Sequence, residues 1–486
     1  DIILNDITDV TGDAFLGLGM SCARCHDHKF DPILQNDYFR LRAFFAPLLP
    51  QDEQLAGTPT ERASYQAKLE KWQQATTDVR KQIDSMQAKH IENLTTSQLA
   101  MFPLDVRPSL YKKESERTPY EKQIAYLAFR QVQKNINDVD WLKHFKETNL
   151  EKWKQLTDEL KSFDNLRPAP LGIIASVTDV DTTAPPTLIP NTSNALQPGG
   201  LSLLDPMTTT VVSPANHATT GRRTALANWL TDPQHPLTSR VMVNRIWQYH
   251  FGHGIVDTPS DFGTLGTRPT HPKLLDYLAA SFIESNWDIK ELHRVIVTSQ
   301  AYRQSAIHPN ATEMRHLDVG NQFLWRANIR RLDAEQIRDN ILNVSGELEL
   351  QLGGEGQDVD SPRRSAYLKM MRNHPHPFLL AFDATDGILS SPERNTTTTP
   401  TQTLLIMNNA WVLARATALS KLTLPADMKN CEENIDLIHW KLYSRCATDN
   451  EKQFARDFFS NARSPEEAWT DYCHVLLAAN EFLYIQ

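Results

Sequence analysis

The 486-residue chain is 40% hydrophobic and 22% charged, with a formal net charge of −9, a pI near 6.0 and a mean hydropathy of −0.45. This is room for two to four domains with sizeable cores, while the acidic balance argues against nucleic acid or an anionic membrane surface as a partner. No apolar run approaches the roughly 20 residues that a membrane helix needs, so no span is expected in this chain.

Residues 1–50 read as a first small helical unit. The chain opens on "DIILNDITDV", without an initiator Met or a signal-like segment, which suggests a start inside a longer or processed protein. The glycine-bearing apolar run "DAFLGLGM" leads into "MSCARCHDHKF" (20–30), and "NDYFRLRAFFAPL" then places Tyr38, Leu41, Phe44 and Phe45 at helical spacing. Residues 51–165 read as a helical arm. Tyr65, Leu69, Trp72, Val79, Ile83 and Met86 keep a four-three rhythm, and Leu150, Trp153, Leu156, Leu160 and Phe163 repeat it. The pattern predicts two long amphipathic helices in an antiparallel hairpin.

Residues 166–220 form a Pro- and Thr-rich connector with β-like pieces such as "LGIIASVTDV". From 221 to 486 helices dominate. Thr270 is the expected N-cap of a helix with Pro272 in its first turn and Leu274, Leu275, Leu278 and Phe282 on one face. Asp288 with Glu291 spells a capping box, and Gly346 should end the helix that begins near "RRLDAEQ". The fold class is therefore mainly α, with a minor β content near the connector.

Five cysteines do not make a disulfide scaffold. One helix between Cys431 and Cys446 would hold them roughly 20 Å apart, against the ~4.4–6.8 Å that a disulfide tolerates. Cys473 sits on an apolar helix as a small hydrophobe. The informative pair is Cys22 and Cys25, which with His26 spell Cys-x-x-Cys-His. Two thiols at this spacing can add across the vinyl groups of a haem while the adjacent His binds the iron as proximal ligand. Zinc held by Cys22, Cys25 and His26 or His28 is the main alternative, although tetrahedral zinc calls for four ligands and no second Cys pair is present. A thioredoxin-type thiol pair lacks its βαβ context, and plain packing is the remaining possibility.

If haem is bound, Arg24, His28 and Lys29 are placed in sequence to meet its propionates. The sixth iron ligand is expected among Met20, His250, His253 and His271. Asp383 and Asp386 in "FDATDG" are a weak calcium candidate, at a spacing unlike an EF-hand. Asp257 with Asp261 is the carboxylate pair that a hydrolase reading would need.

The stretch "FLGLGMSCARCHDHKFDPILQNDYFRLRAFF" resembles the C-terminal part of a domain of unknown function found beside planctomycete-type cytochrome c domains, with Cys22 to Pro32 following the family pattern throughout. "RRTALANWLTDPQHPLTSRVMVNRIWQYHFGHGIVDTPSDFGTLGTRPTHPKLLDYLA", "RRSAYLKMMRNHPHPFLLAFDATDGILSSPERNTTTTPTQTLLIMNN" and the ending "WTDYCHVLLAANEFLYI" resemble the domain that usually follows it. The resemblance spans roughly residues 10–48 and 185–486. It implies export to the periplasm or cell surface, a covalent c-type haem on Cys22, Cys25 and His26, and a redox partner protein or an upstream cytochrome domain. It also marks Arg240, Asn244, Arg245, Trp247, His271 and Arg394 as recognisable positions, either of a polar site or of a hydrogen-bond network bracing helices. The expected function is electron transfer or redox chemistry at one haem. The alternative is a haem-free surface-binding or structural protein with zinc at the motif, linked to polysaccharide processing.

Overall fold

The computed structural model describes residues 2–204, 209–214, 219–388, 390–425, 431–460 and 464–485; residues 205–208 and 215–218 of the expected connector lie outside them. The fold is mainly α. Its strands are confined, among the described residues, to three two-stranded antiparallel sheets: Leu48–Leu55 with Ile173–Asp179, Thr187–Leu188 with Ala195–Leu196, and Arg330–Arg331 with Tyr484–Ile485. No described helix is long and apolar enough to cross a membrane.

Contacts divide the chain into two units, one of Asp1–Asp9 with Met20–Asp232 and one of Val10–Gly19 with Pro233–Gln486. In the first unit the helix Gln35–Ala43 buries Tyr38, Leu41 and Phe44 completely, as its spacing predicts, and Met20, Ala23 and Ile33 are buried with them. The arm differs from the simple hairpin. Helices Thr77–Leu99 and Glu147–Lys161 do pair, through Val79, Ile83 and Leu156 with Met86 and Leu160 packed around them. The expected first helix breaks at Thr76 into Pro59–Ala75, which carries Tyr65, Leu69 and Trp72, and Thr77–Leu99; the third long helix in chain order, Pro119–Asn137, also packs on Thr77–Leu99. It forms its own cluster of Ala125, Ala128 and Val132 with Leu99 and Leu110. Its small buried residues leave a weaker hydrophobic rhythm than Leu and Trp, yet they allow close helix approach. Thr118, Pro119 and Glu121 give it a full capping box with Pro at the first helical position. The sheet partner of the connector's "IIASVTD" strand is Leu48–Leu55, with a bulge between Gln51 and Gln54. That Pro- and Gln-bearing run alternates too poorly to announce a strand.

The second unit holds two cores. One joins helices Thr238–Phe251, Pro272–Glu284 and Ile289–Thr298 through Ile246, Trp247, Leu278, Phe282 and Ile296. Here the N-cap is His271 rather than Thr270, whose N–H instead donates to the Ile255 carbonyl. Asp288 caps the next helix by accepting from Lys290 and Glu291 N–H, while Glu291 turns to Arg294 instead of closing the box. Gly17 closes the short Gly12–Leu16 turn at φ +60°, with the Phe262 ring where a Cβ would stand.

The other core surrounds helices Ala334–Val344, Ala410–Thr423, Glu432–Tyr443 and Pro465–Leu477. Gly346, at φ +75°, follows the Ala334 helix as expected. Fully buried Trp469 donates through Nε1 to Thr423 at 3.0 Å. No disulfide joins the five cysteines, all of which lie among the described residues; Cys431 and Cys446 flank the Glu432–Tyr443 helix, and burial pushes the Cys473 thiol up to about 12.

In this core Arg445 forks onto two carboxylates, reaching Glu451 at 2.7 and 2.8 Å and Glu481 at 2.6 and 2.7 Å. Hydrogen bonds from Arg445, aided by those from Thr448, bring Glu451 down from 4.5 to about 2. A carboxylate lowered on folding contributes stability that is fully present above its unfolded value and is withdrawn as pH falls through the folded one. Glu451→Gln is therefore expected to flatten the acid limb of the unfolding curve between about pH 4.5 and pH 2. An unchanged limb, followed by near-ultraviolet circular dichroism, would contradict this.

Candidate functional site

The Cys-x-x-Cys-His element lies on the first unit. Ser21–Arg24 form one turn of 3₁₀ helix, started by Ala23 N–H donating to the Met20 carbonyl (3.0 Å) and closed by Cys25 N–H donating to Cys22 (3.3 Å). In a 3₁₀ turn side chains at i and i+3 eclipse each other. Met20 and Ala23 therefore share the inner face, where both are fully buried, and Cys22 and Cys25 share the outer face, where both are exposed. Apolar residues at 20 and 23 set which edge turns inward, and the cysteines follow.

His26 leaves the turn exposed, with Nδ1 2.7 Å from the Asp27 carbonyl oxygen. A carbonyl only accepts, so Nδ1 is the donor, which in the neutral ring leaves the lone pair on Nε2. A hydrogen bond of this kind orients a metal-binding imidazole. The following "DHKFDP" loop is a scaffold. His28 N–H donates to the Ile33 carbonyl, and His28 Nδ1 accepts from Asp31 N–H at 2.9 Å, with the Asp31 carboxylate at 3.4 Å. Gln35 ties the loop back, its N–H donating to Asp27 Oδ1 (2.8 Å) and its amide to the Arg24 carbonyl (3.2 Å). Asp37 caps Leu34 N–H and accepts from the N–H and hydroxyl of Ser202, both at 3.0 Å.

His28 is thus a brace of its own loop. Arg24 is exposed, and its charge acts on the Asp9 carboxyl and the Tyr38 hydroxyl. Burial lifts Asp9 above the usual carboxylate range, against the opposing pull of Tyr38 and Arg24. Burial likewise lifts Tyr38. Lys29 stands over the Phe30 ring at 5.1 Å, and Phe30 and Leu34 present exposed apolar surface beside the motif.

The four sixth-ligand candidates fall on both units. Met20 belongs to the motif's own unit and is a core residue of the turn's inner face. His250, His253 and His271 belong to the second unit. There His250 Nε2 meets His293 Nδ1 at 2.7 Å, His253 Nδ1 lies 3.3 Å from Asp257 Oδ1, and His271 Nδ1 lies 2.9 Å from the Thr270 hydroxyl. Burial, with His293 and Arg330 nearby, depresses His250. His293 as a partner is not legible in local spacing, because residues 43 apart meet only through helix packing.

The other recognisable positions brace the second unit. Buried Asn244 exchanges two hydrogen bonds with the main chain of Val256 (2.9 and 2.8 Å), and Arg245 donates to Asp13 O and the Ser260 hydroxyl. Arg240 reaches Asp276 and Pro236 O, Trp247 stacks on Phe251 at 4.0 Å, and Arg394 forms a bidentate pair with Glu335. Asp261 Oδ1 accepts from Gly263 N–H within its own turn. Asp383 is engaged by Arg331 (2.6 Å) and by both the N–H and the hydroxyl of Thr397, while Asp386 accepts from Ile388 N–H. The neighbours of the calcium candidate are thus an arginine and hydrogen-bond donors.

Among the described residues no group of three His, Cys, Asp or Glu is gathered to hold a metal ion. The donor set at the motif is two outward thiols on one face and an imidazole with its lone pair on Nε2. It fits a haem that brings its own four nitrogens and takes one ligand from the chain.

Two family models match parts of the chain. Residues 2–49, which include the motif, match PSCyt2, a protein of unknown function (DUF1549). Residues 222–459 match PSD1, a protein of unknown function (DUF1553). No curated protein and no solved structure matches the chain. Two stretches of the chain thus match, one after the other, models of domains of unknown function that are associated with cytochrome c in planctomycetes.

Proposed function

We propose that this chain is a c-type cytochrome-like protein that carries one covalent haem on Cys22 and Cys25, with His26 as the proximal ligand, and serves electron transfer outside the cytoplasm. The observation that carries the reading is the 2.7 Å contact of His26 Nδ1 with the Asp27 carbonyl, which leaves Nε2 to bind a metal in a residue that directly follows two exposed thiols. A haem bound there supplies a one-electron iron couple. The chain's own part would be to orient the imidazole, offer two thiols at fixed spacing, and present the exposed apolar side chains of Phe30 and Leu34 nearby in the chain. Both matched domains are associated with cytochrome c, which supports a redox partner or a neighbouring cytochrome domain. Covalent haem attachment takes place outside the cytoplasm, so the cofactor and the location stand together.

The test is a pyridine haemochrome spectrum of the full chain produced with a c-type haem maturation system. A two-thioether α-band at about one haem per chain is the expected result. Protein with stoichiometric zinc and no iron, or with no haem band at all, overturns the proposal.

A further inference from the structure

The second unit contains an open cleft of about 990 Å³ that no family description accounts for. Its walls come from the end of helix Thr238–Phe251, the strand region 328–333, the loop 391–398 and Tyr484. That volume is at the upper end for a small-molecule site, the size of a ligand of two or three sugar rings.

Two side chains in the cleft lack a partner among the described residues. Gln248 is only 8% exposed, yet its side-chain amide makes no hydrogen bond among the described residues. The amide is not among the buried unmet polar atoms, so solvent reaches it, and it is open to a ligand that both accepts and donates. The other group is Arg330. Three arginines line the cleft, but Arg331 is held by Asp383 and Arg394 by Glu335. Arg330 alone has no carboxylate partner among the described residues, and its stem lies along Gly252, with Cδ 3.8 Å from where a Cβ would stand.

The remaining lining is equally specific in kind. Tyr249 is 66% exposed and offers a flat apolar face, while Asn395, Thr396 and Glu393 offer hydrogen-bonding groups on the exposed loop. An aromatic face flanked by planar polar side chains suits a polyhydroxylated ring, whose C–H face stacks while its hydroxyls pair at the rim. The lone guanidinium calls for an anion, best met by a planar carboxylate.

We propose that this cleft binds an oligosaccharide bearing carboxylates, with one carboxylate on Arg330, a neighbouring hydroxyl on the Gln248 amide, and a ring against Tyr249. This goes beyond the haem reading and depends on none of its residues.

The experiment is isothermal titration calorimetry of the full chain with trigalacturonate and trimannuronate as acidic probes and cellotriose as a neutral one. Saturable binding of at least one acidic probe is expected, at least tenfold tighter than cellotriose. Arg330→Gln should weaken that binding tenfold or more and remove most of its salt dependence. Gln248→Leu and Tyr249→Ala should each weaken it severalfold; Tyr249 is exposed enough that its variant leaves the fold intact. The proposal is overturned if neither acidic probe binds, if cellotriose binds as tightly, or if Arg330→Gln, with an unchanged circular dichroism spectrum, binds like the parent.

Discussion

Replacing Cys22 and Cys25 together by serine is expected to remove haem from the denatured chain altogether while leaving its helical circular dichroism unchanged. Both thiols are exposed and free, and the turn that carries them is held by backbone hydrogen bonds and by the buried Met20 and Ala23, none of which the substitution touches. Serine cannot form a thioether, so haem staining after denaturing electrophoresis should fall to background. On the proposed attachment either single variant would keep one thioether, so staining would survive with a shifted α-band. His26→Ala would keep both thioethers and lose the proposed iron ligand, separating attachment from ligation. Equal staining in the double variant would exclude this attachment site.

Arg338→Ala is expected to release the segment around residues 349–372, at a cost of about 3–5 kcal/mol, the range for removing one partner of a buried charged network. Arg338 is 2% exposed and projects from helix Ala334–Val344. Its guanidinium donates to the carbonyls of Val359 (2.8 Å), Ser361 and Arg363 (3.0 Å) and to the Ser365 hydroxyl (3.2 Å). Arg363 extends the network to the carbonyls of Gln351 (2.9 Å) and Gly353 (2.6 Å) and lies over the Tyr367 ring at 4.3 Å. These carbonyls have little regular secondary structure to satisfy them, so losing the fork leaves several buried acceptors unmet.

Hydrogen exchange reads the effect locally. The Glu349 and Lys369 amides bond to Pro362 and Gln357 carbonyls and should exchange at least about a hundredfold faster in the variant, at ~1.4 kcal/mol per tenfold. Arg338→Lys should rescue little, because a single ammonium cannot reach four oxygens spread across the guanidinium plane. Unchanged protection of those amides would show that the segment holds itself.

The helical character, the buried faces at Tyr38, Leu41 and Phe44, the pairing of Val79 and Ile83 with Leu156, and the turn after the Ala334 helix are all written in local spacing. Residues three, four and seven apart meet on one helix face whatever surrounds them, which is why such features are legible without coordinates. The third arm helix and the Leu48–Leu55 strand were not. Their patterns rest on alanines, a proline and glutamines, whose burial depends on the neighbour they find.

The same division runs through the candidate site. By itself the sequence determined the motif, its spacing and its mainly helical setting, because Cys-x-x-Cys-His is contiguous. Only the tertiary structure decided that the cysteines face outward as a pair, since that depends on Met20 and Ala23 finding a core to enter. It alone decided the proton position on His26, and it turned Asn244, Arg245 and His28 into braces by bringing acceptors to them. The cleft of Gln248 and Arg330 arises from four separate segments spread between residues 248 and 484, two of which are joined by a two-residue strand pair. No local spacing encodes a juxtaposition of that kind; packing of separate helices does.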